Sequence, residues 1–208
     1  MGKFTIDANI PISFLETHIN LWTDFIKYIQ ESGHEVIIPQ EILDEIKVIA
    51  LKRIVEDCPS VTVINVNDSL YSSIKTECRE VKHKLPQIQD NDYRLIASAI
   101  QNDANLISND YALITVAQRY KEIKSIPEEK NIFLTTANLL WLMHSQRKDL
   151  FDWKTHIRIN LKIYRHIEIP NTYNGIRNRD RNWSEDLAKR RFDPYHQNIV
   201  NTINGVKV

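Results

Sequence analysis

Along residues 1–146 of the chain, short runs of apolar residues alternate with longer segments in which apolar residues recur every three or four positions. The short runs predict β-strands, and the longer segments predict amphipathic helices that bury one face. Because tight hairpin signals are absent between the runs, parallel strands joined by helices fit the pattern better than a meander does. We therefore predict an α/β fold, a three-layer α/β/α sandwich around a central, mostly parallel five-stranded sheet. The five predicted strands cover residues 4–6, 35–38, 61–64, 104–107 and 131–134.

The segments between these strands carry the helical spacing. In the segment that begins at residue 39, the predicted core face consists of Ile42, Leu43, Ile46 and Ile49. Gly33 follows the first helix and is expected to end it, because glycine adopts the left-handed conformation of such a position without strain. The predicted helices cover residues 12–31, 39–49, 68–84, 90–100, 111–123 and 137–146.

The alternation stops at residue 147, and we divide the chain there into an α/β domain over residues 1–146 and a C-terminal extension over residues 147–208. The domain holds 14 Lys and Arg against 20 Asp and Glu, a net charge of −6, whereas the extension holds 13 against 7, a net charge of +6. An acidic body with a basic extension is expected of a protein that combines an acidic metal site with a surface for a polyanion. Chance variation in charge is the alternative.

Composition argues against several classes of function. No apolar run approaches the ~18–20 residues that cross a bilayer, and the first residues lack a signal segment, so we expect a cytoplasmic protein without a membrane partner. Cys58 and Cys78 lack the paired spacing of a zinc site or a disulfide framework. With four glycines in the chain, neither a P-loop nor a dinucleotide-binding loop can be built, and no Gly-x-Ser-x-Gly elbow occurs.

Acidic residues recur where predicted strands end and the following helices begin. Asp7 directly follows the first strand, and Asp110 follows the fourth. Glu45 and Asp92 lie in the first turns of predicted helices. Because the carboxyl ends of parallel strands share one edge of a sheet, we expect these four carboxylates to meet there. Glu41 lies one helical turn before Glu45 on the same face, so geometry alone leaves both as candidates.

Four crowded carboxylates repel one another, and this repulsion raises their pKa values unless a cation is present. Mg²⁺ or Mn²⁺ is the expected cofactor, because hard divalent ions take oxygen ligands. Such a site can activate water and hold the oxygens of a phosphodiester. The sequence shows no His or Cys cluster of the kind that zinc or a redox metal requires. Taken singly, each acid also has a plain structural explanation as a residue that stabilises a helix N-terminus.

The order and spacing of these acids resemble those of the PIN-domain nucleases, and the likeness covers residues 3–146. It is carried by four segments, FTIDANI, IIPQEILDEI, DYRLIASAI and LISND. The resemblance implies a metal-dependent ribonuclease that prefers single-stranded RNA, built on a three-layer α/β/α sandwich. Asn9 and Ser108 fall where the family has small polar residues that orient the carboxylates, and Asp90 is an alternative or additional ligand. By the same likeness, the catalytic and metal-binding residues are Asp7, Glu45, Asp92 and Asp110.

The extension adds a nucleic-acid hypothesis. Within it, residues 157–163 alternate like a half-exposed strand, residues 171–182 predict a polar loop and residues 184–191 predict a short helix. Basic side chains neutralise phosphates, and exposed aromatic rings stack on the bases of single-stranded RNA. An equal alternative is that the rings pack against the domain while the arginines face solvent. The candidate RNA-binding residues are Arg177, Arg179, Arg181, Lys189, Arg190 and Arg191, interleaved with Tyr173, Trp183, Phe192 and Tyr195.

We therefore expect a Mg²⁺- or Mn²⁺-dependent endoribonuclease, of a toxin type or an RNA-processing type, that hydrolyses phosphodiester bonds of single-stranded or structured RNA. Its expected partners are the RNA substrate and, because compact members of the resembled family form toxin–antitoxin pairs, a cognate antitoxin or another protein. A homodimer is a further expectation. The alternative is a catalytically silent module that binds RNA or protein. A phosphoacceptor receiver would need an aspartate directly after the third strand, and Asp68 comes too late for that role.

Overall fold

The structure of the protein is a computed structural model. It describes residues 2–17, 19–80, 85–127, 130–131, 133–136, 139, 143 and 146. The whole extension, with its predicted elements and its candidate RNA-binding residues, lies outside the described residues. So do residues 81–84 and most of the helix predicted over residues 137–146, although the three described positions of that helix are helical. None of the helices within the described ranges has the length and hydrophobicity that spanning a bilayer requires.

The described strands form one sheet in the order β3-β2-β1-β4-β5, and every neighbouring pair is parallel. The predicted α/β fold with a parallel five-stranded sheet is thus confirmed. The observed strand ends differ from the predicted ones by at most two residues. The strands are β1 Lys3–Ile6, β2 Glu35–Pro39, β3 Val61–Ile64, β4 Asn105–Ile107 and β5 Phe133–Leu134.

The helices of the described ranges are α1 Asn9–Thr17, α2 Ile19–Glu31, α3 Gln40–Leu43, α4 Ile49–Glu56, α5 Asp68–Glu80, α6 Asp90–Gln101 and α7 Tyr111–Ile123. Helix α1 packs on α2 and α4, whereas α5 packs on α6 and α7. Because parallel strands are joined by right-handed crossovers, the connections running from β1 out to β3 place their helices on one face of the sheet. The connections to β4 and β5 place theirs on the other face, which gives the predicted three layers.

Strands β1 and β4 lie side by side in the middle of the sheet, although β2 and β3 separate them in the chain. At such a switch point, the connections leave toward opposite sides and open a crevice at the carboxyl ends of the two strands, where α/β proteins bind ligands. Ile6 pairs with Ile107 in the register of β1 and β4. Asp7 N–H donates to Ile107 O over 3.0 Å. The strand register therefore makes Asp7 and Ser108 leave the sheet next to each other.

The central strands are apolar on both faces, as a sheet covered by helices on both sides requires. Phe4, Ile6 and Ile107 are each at most 2% exposed. The exception is Thr5, whose Oγ1 lies 3.0 Å from Ser98 Oγ of α6, so that two buried hydroxyls satisfy each other. Burial of one such apolar side chain contributes about 1.5–3 kcal/mol. This packing anchors the strand ends that carry the acids.

The helix predicted from residue 39 onward is wrong in its extent. Helix α3 ends at Leu43 after a single turn, residues 44–48 are irregular, and α4 begins at Ile49. The N–H groups of Glu45 and Ile46 bond to carbonyls three residues earlier, which is the tight geometry of a helix end. β-branched residues crowd this stretch, and they lose rotamer freedom in a helix. Ile46 is buried as predicted, but Ile49 is 69% exposed and does not belong to the core face.

Two smaller differences concern the starts of α1 and β5. Helix α1 begins at Asn9, three residues earlier than predicted. Asn131 precedes β5 instead of opening it: its φ is +48°, and its Nδ2 donates to Ala99 O and Ala104 O over 2.8 and 3.0 Å. Asparagine tolerates this left-handed conformation better than most residues do. The prediction for Gly33 is confirmed, since its φ is +64° at the end of α2.

Candidate active site

Asp7 is the first residue after β1, and only 5% of it is exposed. The Ser108 hydroxyl donates to Asp7 Oδ2 over 2.7 Å. Asn9 donates from its backbone N–H to Asp7 Oδ1 over 3.3 Å and from Nδ2 to Oδ2 over 3.5 Å. The structure therefore brings two of the predicted supporting residues, Asn9 and Ser108, into contact with Asp7.

Asp110 is the N-cap residue of α7. Its Oδ1 accepts hydrogen bonds from the backbone N–H groups of Ala112 and Leu113 over 2.7 and 3.2 Å. These donors would otherwise lack a partner at the start of a helix. The backbone N–H of Asp110 donates to Ser108 Oγ over 3.0 Å. The Ser108 hydroxyl thus accepts from the backbone of Asp110 and donates to the carboxylate of Asp7, which links the ends of β1 and β4.

Asp92 lies in the first turn of α6, as predicted from the sequence. Its Oδ2 accepts the backbone N–H of Gln89, the N-cap residue of this helix, over 2.6 Å. The pKa of Asp92 is raised to about 6, mainly because the carboxyl group is buried. The negative charges of Asp7, Asp110 and Glu45 raise this pKa further, while the bond from Gln89 opposes the rise.

Glu45 reaches the same edge from the turn after α3 and not, as predicted, from the first turns of a helix. Its Oε1 accepts a hydrogen bond from Asn91 Nδ2 over 2.6 Å. Asn91 belongs to the first turn of α6 and directly precedes Asp92. The contact therefore ties the irregular turn to a helix that carries another of the predicted acids.

Negative charge accumulates at this edge. Burial raises the pKa of Asp7, the hydrogen bonds from Ser108 and Asn9 oppose that rise, and the charges of Glu45 and Asp110 add to it. Among the described residues, no Lys or Arg forms an ion pair with any of the four predicted carboxylates. We call these interacting residues the acidic cluster: Asp7, Glu45, Asp92 and Asp110.

The two alternative acids are engaged elsewhere. Asp90 pairs with Lys75 at 2.8 Å and with Arg79 at 3.9 Å, both on α5. The hydrogen bond from Lys75 lowers the pKa of Asp90. Glu41 pairs with Arg94 of α6 at 3.1 Å. The sequence left open the choices between Glu41 and Glu45 and between Asp90 and Asp92. The structure brings Glu45 and Asp92 into the acidic cluster, whereas Glu41 and Asp90 form ion pairs.

Two polar residues beside the acidic cluster carry no signal in the sequence. Asn91 is one, through its contact with Glu45. Asn109 is the second, since its Oδ1 accepts the backbone N–H of Thr136 over 2.9 Å and joins the end of β4 to the end of β5. Asn109 Nδ2 and Thr136 Oγ1 are buried without a hydrogen-bond partner among the described residues. The two contacts span 46 and 27 positions, so residue spacing does not reveal them.

The acidic cluster consists of carboxylates, the ligands that hard divalent cations prefer. Asp92, Asp110 and Glu45 each accept hydrogen bonds at one carboxylate oxygen, while the second oxygen accepts none from the described residues. As they stand, no three His, Cys, Asp or Glu side chains within the described ranges form a group that could hold a metal ion. Mutual repulsion opposes closer approach of four negative charges until a cation enters. The chemistry of the donor set therefore fits Mg²⁺ or Mn²⁺.

The fold and the site together define an α/β protein with a parallel five-stranded sheet and an acidic cluster at its switch point. No protein-family model matches the chain, and no curated protein matches it. The assignment of a function therefore rests on the contacts and charges of the described residues, together with the order of the acids in the sequence.

Proposed function

We propose that the protein is a Mg²⁺- or Mn²⁺-dependent ribonuclease that resembles the PIN-domain nucleases and hydrolyses phosphodiester bonds of RNA. One observation carries the proposal. Four carboxylates from separate elements influence one another at the switch point of a parallel sheet, and none has a basic partner among the described residues. Asp7 is buried, and buried charges in proteins are normally paired or bind a metal ion. An unpaired cluster of acids in this location, in which the pKa values of Asp7 and Asp92 are raised, is typical of a functional site.

The contacts within the acidic cluster suit the task of holding a cation. The bond from Ser108 fixes one oxygen of Asp7, and the helix-capping bonds fix one oxygen each of Asp92 and Asp110. These bonds orient the carboxylates before an ion binds, and the ion would then offset the repulsion that keeps the four groups apart. When bound, the ion activates water and stabilises charge on the phosphate. The residues proposed to hold it are Asp7, Glu45, Asp92 and Asp110.

RNA is the proposed substrate because the basic extension supplies side chains that neutralise phosphates. The proposal assigns this role to the extension, residues 147–208. A cognate antitoxin or other protein partner belongs to the same proposal, with the likeness to PIN-domain nucleases as its support. A cytoplasmic location and a homodimer are proposed as well. The proposed RNA-binding residues are Arg177, Arg179, Arg181, Lys189, Arg190 and Arg191.

Cleavage of end-labelled single-stranded RNA by the full chain tests the proposal. We expect cleavage that requires Mn²⁺ or Mg²⁺, stops with EDTA and falls roughly 100-fold or more in Asp7→Asn, the scale of losing a group that stabilises charge in the transition state. Asp90→Asn is the matched control, because Asp90 is ion-paired with Lys75 outside the acidic cluster, and it should retain activity. Cleavage that is indifferent both to EDTA and to Asp7→Asn would contradict the proposal.

A catalytically silent module that binds RNA or protein is the second candidate. The observation that favours it is that three of the acids already have structural contacts. Asp92 and Asp110 each bond to the N-terminus of a helix, and Asp7 is joined to Ser108. Cation binding by calorimetry, combined with no cleavage of any RNA tested, would favour this candidate. Cation-dependent cleavage that Asp7→Asn abolishes would eliminate it.

A further inference from the structure

Glu45 differs from the other members of the acidic cluster in how its position is fixed. Asp7 directly follows a strand, and Asp92 and Asp110 bond to helix ends, so the backbone itself aims each of these short side chains. Glu45 lies in the irregular stretch of residues 44–48. Its side chain is longer and has more rotamers, which a partner must restrict if the carboxylate is to stay at one place.

Asn91 supplies this partner. Its Nδ2 lies 2.6 Å from Glu45 Oε1, the distance of a short hydrogen bond to a charged acceptor. An ionised carboxylate can only accept, so the amide nitrogen is the atom that must face it. The side chains on either side are engaged differently, since Asp90 pairs with Lys75 and Asp92 belongs to the acidic cluster. Helix α6 packs against β1, β2 and β4, which fixes the donor on a rigid element.

The chemical nature of the donor matters as much as its position. A Lys or Arg at this place would neutralise Glu45 and repel a cation bound nearby. The amide of Asn91 is neutral, so it orients one oxygen of the carboxylate and leaves the negative charge in place. The second oxygen, Oε2, accepts no hydrogen bond from the described residues. This is the arrangement of a residue that orients a metal ligand without being one.

We propose that Asn91 is a positioning residue, which holds the Glu45 carboxylate at the acidic cluster through its Nδ2 and thereby raises the affinity of the cluster for a divalent cation. The inference rests on the proposed metal site and adds to it a residue outside the acidic cluster. Asn91 acts through Glu45 and needs to contact neither the cation nor the RNA.

Calorimetric titration of the full chain with Mn²⁺ near neutral pH tests the proposal in a double-mutant cycle of Asn91→Ala and Glu45→Ala. We expect Asn91→Ala alone to weaken Mn²⁺ binding about 10-fold, the lower end of the effect of residues that orient metal ligands. In the Glu45→Ala background, the same change should weaken binding by no more than about 2-fold, because the group through which Asn91 acts is gone.

Asn102→Ala is the matched control for this cycle. Asn102 follows the last residue of α6, roughly 17 Å along the helix axis from Asn91, and its Nδ2 donates to Ser98 O. Its replacement should leave Mn²⁺ binding unchanged. Asn91→Ser is a second variant, too short to reach Glu45, and it should weaken binding as Asn91→Ala does. Thermal unfolding of each variant used in the titrations checks that it is folded.

Nuclear magnetic resonance of the metal-free protein gives a readout that does not depend on cation binding. The side-chain amide protons of Asn91 should resonate at a clearly different position in Glu45→Ala than in the wild type, because they lose a charged acceptor. Unchanged amide signals would show that the hydrogen bond does not form in solution, and they would overturn the proposal.

The titrations distinguish a failure of the proposed metal site from a failure of the proposed role of Asn91. Failure of the wild type to bind Mn²⁺ overturns the metal site and, with it, the role of Asn91. Binding by the wild type that is matched by Asn91→Ala and by the Asn102→Ala control overturns the role of Asn91 alone. Equal weakening by Asn91→Ala in the presence and absence of Glu45 also overturns it, because Asn91 would then act by another route.

Discussion

The Ser108 hydroxyl donates to Asp7 Oδ2 over 2.7 Å, and this bond joins two residues that are 101 positions apart. It forms because Ile6 and Ile107 pair in neighbouring parallel strands, so that the residues following them leave the sheet side by side. The same hydroxyl accepts the backbone N–H of Asp110 over 3.0 Å. The centre of the candidate active site is therefore set by the register of two buried strands.

Ser108→Ala should change the pH dependence of RNA cleavage. The Ser108 hydroxyl bond lowers the pKa of Asp7, so its loss raises that pKa further and should move the acidic limb of the pH–rate profile to higher pH. Ser108 is fully buried, and loss of a hydrogen bond to a charged group lowers the free energy of unfolding by about 1.5–3 kcal/mol. The pH–rate profile and urea unfolding measure the two effects.

Ser98→Ala is the control for this change. Ser98 is equally buried, and its hydroxyl pairs with Thr5 instead of a carboxylate. We expect a loss of about 1 kcal/mol in the free energy of unfolding without any movement of the pH–rate profile. An equal shift of the profile in both variants would show that Ser108 has no specific role beside Asp7.

The metal-free protein should lose stability through Asp92 as the pH rises from about 4 to about 6. Burial and the neighbouring acids raise the pKa of Asp92 from 3.8 to about 6. The folded state therefore binds more protons than the unfolded state within this window, and a rise in pH favours unfolding. Asp7 acts in the same direction, since its pKa is also raised. Urea unfolding at a series of pH values, without divalent ions, measures the trend.

Asp92→Asn isolates the contribution of this one carboxyl group. The variant cannot lose the proton, so above about pH 6 it should be more stable than the metal-free wild type. Saturating Mg²⁺ should reverse the order, because a ligand at 100 times its Kd stabilises the folded state by about 2.7 kcal/mol. A variant whose stability follows the same pH curve as the wild type would contradict the raised pKa.

Glu45→Gln should weaken cation binding and Glu41→Gln should affect only stability, although the two residues are one helical turn apart in the sequence pattern. Glu45→Gln removes a negative charge from the acidic cluster and should weaken Mn²⁺ binding by about 10-fold or more. Glu41→Gln breaks the partly exposed ion pair with Arg94 and should lower the free energy of unfolding by about 1 kcal/mol or less. Calorimetry measures Mn²⁺ binding by the two variants, and urea unfolding measures their stability. Equal loss of Mn²⁺ binding in both variants would contradict the assignment of Glu45, and not Glu41, to the acidic cluster.

Hydrophobic periodicity correctly predicted the elements that have one buried face and one exposed face. Helix α7 covers Tyr111–Ile123 as predicted, and its apolar side is buried at Leu113, Val116, Ala117 and Tyr120. The positions of Asp7 and Asp110 next to strand ends followed from the same logic, because parallel strands end at one edge. Each of these features depends on residues that are near one another in the sequence. The pairing of β1 with β4 then brings Asp7 and Asp110 to the same edge of the sheet.

The remaining features depend on contacts between distant segments. The apolar pattern around Glu45 wrongly predicted a continuing helix. Ile46 is buried although it lies in an irregular turn, so its apolar side chain did not indicate helical structure. Asp90 and Asp92 differ because Lys75 of α5 forms an ion pair with Asp90. Asp92 has no such partner among the described residues and belongs to the acidic cluster. The contact of Asn91 with Glu45 is likewise a product of packing α6 against the end of α3.

We propose that Asp7 and the other acids of the cluster share one cation. Anomalous scattering from crystals of the full chain soaked in Mn²⁺ would locate such an ion. We expect a peak within roughly 2.5 Å of carboxylate oxygens of Asp7 and at least one other member of the acidic cluster. A map at saturating Mn²⁺ with no peak at this edge, and with the four carboxylates still in their present hydrogen bonds, would contradict it.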